Sequence, residues 1–397
     1  MEKNKHMNNF YLPLMSDNID KEDVNALVDF LSQDQIPKLT NGPKVVEFEN
    51  AWGEWLGTKY NLMVNSGASA NELTMLALNY IHGEGEIIVP PLTWISDISS
   101  VIFSGFKPVF CDINLKNLSF DIEKLKQIIT PKTKAIFLTH VLGINGLTDE
   151  LIQLCNEKGI LLIEDVCESH GTTFKGQKVG SFGFASNFSF YFAHHMSTIE
   201  GGMICINDEN FYQICRALRS HGMMREMTNN TLKQQIINDN PDLNKDFIFI
   251  SPAHNFRSTE LNAVIGLSQI KKLDSNNINR VNNFKYFMEN LDSNKYITDI
   301  EMDGQCNYAF IIILKEGSFE LRDKVETTLR EKGIEFRRGL SGGGNQLRQP
   351  YFKKHYNINY DDFKNMDHIH HFSWYVGNYP TLEREKIDTL LNTLNNI

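Results

Sequence analysis

The chain has 397 residues, 41% hydrophobic and 22% charged, which is length and apolar content enough for two domains with full cores. A formal net charge of −10 and the lack of any basic run argue against nucleic acid or an anionic membrane surface as main partner. No stretch approaches the roughly 20 consecutive apolar residues that span a bilayer, and the polar start Met1–Met7 carries no apolar leader, so a cytoplasmic location is expected. Cys111, Cys155, Cys167, Cys205, Cys215 and Cys306 are scattered without a C-x-x-C pair, so neither a zinc ribbon nor a compact iron–sulfur ligand set, and no metal, is expected.

The spacing of Val24, Leu27, Val28 and Leu31 predicts a helix over 19–32. After the turn Thr40-Asn-Gly-Pro43, Val45, Phe48, Trp52 and Leu56 predict a second. Leu62-Met-Val64 reads as a short strand, Asn65-Ser-Gly-Ala-Ser69 as a turn, and residues 70–81 as a helix. In this order the unpaired N–H groups at the helix start, backed by the dipole, form a seat for a phosphate. Gly67 and Ala68 let the backbone come close, and Ser66 or Ser69 can add a hydroxyl. Taken alone, the segment also reads as an ordinary serine N-cap.

Glu86-Ile-Ile-Val89 is the next strand, ended by Pro90-Pro91, with Trp94 just beyond it, able to lie on a planar ring or to fill a core. Strands at 109–111, 135–138 and 160–163, and a helix near 147–158, continue the alternation. Strands of unbroken apolar character separated by helices imply an α/β fold with a mostly parallel central sheet covered by helices. Ligands in such sheets gather at the carboxyl ends of the strands. Asp165 ends a buried strand, where a charge needs a partner; a protonated pyridine nitrogen would serve, and a helix N-cap role is the alternative. The stretch Phe188 to Gly202 then carries His194 and His195 between an aromatic strand and a Glu-Gly-Gly turn, with Ser189 five residues before His194. Alone, two adjacent imidazoles indicate little. With the turn at 65–69 and Asp165 they complete a phosphate seat, a pyridinium partner and a base, the set of a pyridoxal-phosphate site.

A second part begins near 271, giving a large domain over 1–270 and a smaller C-terminal α/β domain over 271–397, with the N-terminal segment a candidate to pack on the latter. Its expected elements are helices at 276–291 and 319–332 and strands at 307–314 and 334–338. The Asn-rich patches near 229–244 and 276–283 look like loops or helix caps. Arg337 to Pro350 is a glycine-rich loop with three arginines, open to diphosphate binding or to plain solvation.

The combination resembles the fold-type I, DegT/StrS-type sugar aminotransferase family over roughly residues 10–395. Its marks are Thr40-Asn-Gly-Pro-Lys-Val45, Ser66-Gly-Ala-Ser-Ala-Asn71, Glu164-Asp165, Gly180-Ser-Phe-Gly183, Ser189-Phe190, Glu200-Gly-Gly202 and Asn255-Phe-Arg257. In aminotransferases of this family a lysine holds the cofactor covalently, and His194, counted from either flank, stands at the matching position. Histidine there is similar to the branch of 3-dehydratases acting on 4-keto-6-deoxy nucleotide sugars, GDP-4-keto-6-deoxy-D-mannose being the nearest expected substrate. A second histidine branch binds an iron–sulfur cluster through clustered cysteines, which this chain lacks.

The resemblance implies non-covalent pyridoxal or pyridoxamine 5'-phosphate, L-glutamate as amino donor, release of ammonia, and a place in deoxysugar synthesis for surface polysaccharide. It implies His194 as the proton-transfer group, Trp94 on the cofactor ring, Asp165 at the ring nitrogen, and Gly67, Ala68, Ser69 and Ser189 at the phosphate. Glu168 is a further cofactor contact, while Asn255 would reach the phosphate from a neighbouring subunit, making a homodimer with shared sites. His221, Arg257, Ser341, Asn345 and Arg348 are candidate substrate contacts, and His195 would orient its neighbour. The rivals are an aminotransferase using a displaced lysine, Lys175 or Lys178, and a non-catalytic nucleotide-sugar binder.

Overall fold

The computed structural model describes residues 10–35 and 37–397, and the polar start Met1–Met7, with the expectation that it carries no leader, lies outside them. Seven strands form the central sheet: β1 Tyr60–Val64, β2 Glu86–Val89, β3 Lys107–Phe110, β4 Thr133–Thr139 and β5 Leu161–Asp165, then, after the hairpin β6 Thr173–Phe174 and β7 Gln177–Lys178, β8 Ala185–Ser189 and β9 Gly202–Ile206. Their order is β1-β9-β8-β5-β4-β2-β3. Neighbours from β3 to β8 pair in parallel, while β9 is antiparallel to both β8 and β1, so a single strand is reversed. Alternation along each strand feeds two cores. Leu62, Val64, Ile87, Val89, Phe137 and Ile163 face one helical layer, whereas Met63, Ile88, Ile136, Leu138 and Leu162 face the other. Both faces are therefore buried, as the continuous apolar strands required.

The second helix forms as expected over Pro43–Leu56, with Val45, Phe48, Trp52 and Leu56 all buried. Its N-terminal amides are held by Glu260, whose carboxylate accepts from Gly42, Lys44 and Val45, each at 3.0 Å. An acid at that end also meets the positive pole of the helix dipole.

The first helix, Lys21–Leu31, exists but presents the opposite face from the one its apolar spacing suggests. Val24, Val28 and Leu31 are exposed, whereas Asp23 and Phe30 are buried. The reason is polar. Asp23 takes part in the capping box with Asp20, and its Oδ2 accepts from Gln269 at 2.6 Å and Lys272 at 2.9 Å. These bonds orient the helix despite its apolar stripe.

A 31-residue helix, Glu260–Asn290, replaces the shorter one expected to begin at 276. The Asn-rich patch at 276–283 therefore lies inside a helix rather than in a loop. Its buried asparagines are tolerated because their amides find partners: Asn277 donates to the His170 carbonyl at 3.0 Å and Asn283 to Asn378 at 3.3 Å. The position 270/271 falls within this helix. Ala263 and Leu273 pack into one core of the large sheet, while Phe284, Phe287 and Met288 join a separate core with β10 Ala309–Ile313 and β12 Ser373–Gly377.

With β11 Phe336–Arg338 between them in sequence, these make a three-stranded antiparallel sheet ordered β10-β12-β11. β12 had no expectation, because it follows the helix Lys364–Phe372 with no intervening turn residue to mark its start. Leu12 bridges Ile334, so the N-terminal segment lies along the smaller sheet. Among the described residues no helix is long and apolar enough to cross a membrane.

Candidate active site

A cavity of about 560 Å³ opens at the carboxyl ends of β4, β5 and β8 and the turn after β1. It brings together Gly67, Ala68, Trp94, Asp165, Glu168, Ser189, His194 and Ser341, eight of the residues singled out in the sequence.

The turn after β1 is built around Ser66. Its Oγ accepts from the Ser69 amide at 3.1 Å and caps the helix Gly67–His82. Ser69 donates its hydroxyl to Asn65 Oδ1 and accepts from Ser66 Oγ, and does not line the cavity as expected, because those bonds hold it inside the turn. Two glycines make the fit close. A Cβ on Gly67 would lie 2.5 Å from Ser189 Cβ, and one on Gly202 would lie 2.3 Å from the Ser66 carbonyl oxygen. The ends of β8 and β9 thus press on the helix start, whose Gly67 and Ala68 line the cavity, a position that suits a phosphate.

Adjacent carboxylates at the end of β5 serve opposite faces. Glu164 accepts from the amides of Gly180, Phe182 and Gly183 at 2.8, 3.0 and 2.6 Å, and so holds the Gly180–Gly183 turn. Asp165 points into the cavity wall, 4% exposed, and accepts from the Cys167 amide at 2.8 Å and from Asn71 Nδ2 at 3.3 Å. Among the described residues it pairs with no cationic side chain, so the buried charge suits a protonated ring nitrogen.

His194 Nδ1 donates to the Cys167 carbonyl, which fixes the tautomer and leaves Nε2 as the free lone pair. Burial lowers the pKa of the imidazole below its ordinary value, the Cys167 bond opposing this in part, so it is neutral at pH 7. Its ring stacks on Tyr308 with centroids 5.9 Å apart and 3° between planes. Asn18 donates to its carbonyl at 2.6 Å, so the N-terminal segment braces the loop. His195 is turned away: Nε2 donates to the Cys306 carbonyl at 2.8 Å, and it does not line the cavity.

Glu168 accepts from the Leu142 amide and from Ser341 Oγ, both at 3.1 Å. Burial raises its pKa to about 7. The folded chain therefore keeps a proton that the unfolded chain releases nearer pH 4.5, and stability falls as pH rises through that interval. Glu168→Gln is expected to remove this slope, measured as the apparent Tm of parent and variant between pH 4.5 and 7.5; equal slopes would refute the shift.

The remaining expected residues lie elsewhere. Asn345 and Arg348 bond to Asp367, at 2.9 Å for Asn345 Nδ2 and 2.8 Å for Arg348 Nε, and do not line the cavity. His221, Asn255 and Arg257 also lie outside the cavity lining; Asn255 is exposed, and Arg257 bridges Val64. Lys175 pairs with Asp149 at 2.5 Å and Lys178 donates to the Trp55 carbonyl at 2.9 Å, so neither reaches the site. Tyr308, Glu335, Arg337 and Tyr375 line the cavity from on or beside the three-stranded sheet. Of these only Arg337 carried a signal, as part of the arginine loop.

A mixed α/β sheet with a phosphate cradle, a buried carboxylate and a neutral imidazole at its strand ends defines an enzyme with the fold-type I pyridoxal-phosphate architecture. The chain belongs to the DegT/DnrJ/EryC1/StrS aminotransferase family, which it matches over residues 17–395. It is 33% identical over 400 residues to GDP-4-keto-6-deoxy-D-mannose 3-dehydratase of Yersinia pseudotuberculosis, covering 98% of this chain and 99% of that one. Its fold is similar to the crystal structure of a histidine-to-asparagine mutant of GDP-4-keto-6-deoxymannose-3-dehydratase with bound GDP-perosamine (TM-score 0.87, 30% identity, 96% of this chain and 100% of that one). It is also similar to the same enzyme with a trapped PLP–glutamate geminal diamine (TM-score 0.85, 29% identity, 96% and 100% covered).

Proposed function

We propose that this protein is a pyridoxal/pyridoxamine-phosphate-dependent 3-dehydratase acting on a 4-keto-6-deoxy nucleotide sugar, GDP-4-keto-6-deoxy-D-mannose in the first instance, with L-glutamate as amino donor and ammonia released. The observation that carries it is the cavity wall. His194 stands in it with a free Nε2, and no lysine is among the described residues lining it. Imidazole cannot keep the covalent link that a lysine amine makes, so the cofactor is held without one.

In this reading Gly67, Ala68 and Ser189 hold the phosphate, Trp94 covers the ring, Asp165 meets the ring nitrogen, and Glu168 is a further contact. When bound, the pyridoxamine form supplies an amine that condenses with a ketone and a ring that accepts an electron pair. With that form bound, His194 Nε2 would accept the proton lost from the carbon next to the ring and, once charged, would give it to the departing 3-hydroxyl oxygen, so that water leaves. Arg337, whose guanidinium also donates to Glu335 at 3.1 Å, is the cationic side chain of the lining that can meet the diphosphate of the substrate.

The chain works as a homodimer in this reading, with Asn255 from each subunit meeting its neighbour's phosphate seat; its exposure outside its own cavity supports this. We also divide the chain into a cofactor domain over 1–270 and a smaller domain over 271–397, supported by the two separate cores along the long helix. A cytoplasmic location is supported by six free thiols.

The test is purified protein with cofactor, glutamate and a panel of 4-keto-6-deoxy nucleotide sugars, with 3-deoxy product and ammonia expected. An amino sugar as sole product, or a pyridoxyl group fixed to lysine by borohydride, would assign an aminotransferase instead.

A further inference from the structure

Behind Asp165 lies a second fully buried carboxyl, Asp97, on the helix Ile95–Phe103. Two acids share this space, and Asn71 Nδ2 joins them, donating to Asp97 Oδ1 at 2.7 Å and to Asp165 Oδ2 at 3.3 Å. On its other side Asp97 Oδ2 meets two threonine hydroxyls. Thr139 Oγ1 lies 2.9 Å from it, Thr93 Oγ1 is also hydrogen-bonded to it, and the two hydroxyls are 2.8 Å from each other.

The three oxygens form a closed triangle with three contacts, and each contact needs one proton. The threonines bring two. If Asp97 were ionised, one edge would set lone pair against lone pair among three buried side chains. If Asp97 Oδ2 carries a proton, it donates to Thr139, Thr139 donates to Thr93, and Thr93 donates back to Asp97 Oδ2; every edge is then satisfied.

We propose that Asp97 is a neutral carboxylic acid in the folded protein, a positioning residue that holds Asn71 and Asp165 in place while leaving Asp165 the sole anion for the cofactor's ring nitrogen. Burial, with the charge of Asp165 beside it, pushes the Asp97 carboxyl well above the ordinary carboxylate range, in agreement with the proton count. A second ionised carboxylate would face Asp165 without a countercharge, since Asn71, Thr93, Thr139 and Ser96 around it are all neutral. The positioning role rests on the cofactor reading of the cavity; the proton does not.

The decisive measurement is infrared difference spectroscopy of the full chain against Asp97→Asn, with and without pyridoxal phosphate. Asparagine keeps an acceptor for Asn71 and a donor for Thr139, while its nitrogen cannot accept from Thr93, so the variant loses that one bond along with the proton. A protonated-carboxyl stretch present in the parent, shifted in deuterium oxide and absent from Asp97→Asn, is expected; a parent without that band overturns the proposal. Should Asp97→Asn not fold, Thr139→Val removes the acceptor of the proton, and the band must move.

The pyridoxal phosphate dissociation constant of Asp97→Asn is expected within about threefold of the parent's, with the same pH dependence of bound-cofactor absorbance. Weakening beyond about tenfold shows that a negative charge at Asp97 is used, which also overturns it. A parent that binds no pyridoxal phosphate defeats the cofactor reading and the positioning role together, while the infrared band still decides the proton.

Discussion

Replacing His194 by asparagine is expected to lower dehydration by about 10²- to 10⁴-fold, the range for loss of a positioned general acid–base group. Pyridoxal phosphate should still bind with nearly the parental dissociation constant. Asparagine is the informative substitution. Its amide can still donate to the Cys167 carbonyl, as Nδ1 does, so the loop from Tyr191 to Ser197 keeps its anchor. What disappears is Nε2, the one basic atom that the Cys167 bond leaves free. Ammonia release under saturating sugar, paired with an equilibrium cofactor titration, separates the two effects. Turnover above about a tenth of the parent's would remove His194 from the proton-transfer role.

Glu49→Ala should destabilise the fold by about 3–5 kcal/mol, the cost of leaving one member of a buried ion pair unpartnered. Glu49 Oε1 lies 2.7 Å from Arg219 Nη1 and accepts from the Met63 amide at 2.8 Å, while Arg219 also donates to the Met63 carbonyl at 3.0 Å. Both side chains are buried, so truncation strands a guanidinium that water does not reach. Urea unfolding should show a lower midpoint with little change in slope. The same pair holds β1, whose end carries the Ser66–Ser69 turn, so weaker cofactor binding should accompany the loss. A variant as stable as the parent would mean that Arg219 finds another partner.

Local chemistry made much of the cofactor end of the site legible in the chain. Strand, small-residue turn and helix at 60–82, an acid closing an apolar strand at Asp165, and an imidazole after Ser189 each carry their meaning within a few residues, because each depends on backbone geometry the neighbouring residues impose. Continuous apolar strands likewise announced a sheet covered on both faces, and the buried faces of β1, β2, β4 and β5 follow it.

Other features depended on partners far away in sequence. The apolar stripe of Lys21–Leu31 pointed inward by pattern, yet Gln269 and Lys272, about 250 residues on, draw Asp23 inward instead. Asn345 and Arg348 looked free for a ligand until Asp367 claimed both. Ser69 was a plausible phosphate ligand by type and place, but its hydroxyl is held by Asn65 and Ser66 within the turn.

By itself the sequence determined which groups could bind a phosphate, meet a ring nitrogen and move a proton, since those capacities belong to residue types and short spacings. Tertiary structure alone decided which of them share a cavity, that Tyr308, Tyr375, Glu335 and Arg337 from the C-terminal part of the chain close it, and that Asp97 stands behind Asp165. The physical reason is that hydrogen bonds and buried charges are settled by the atom that arrives within reach, and a residue's distance along the chain says nothing of which atom that is.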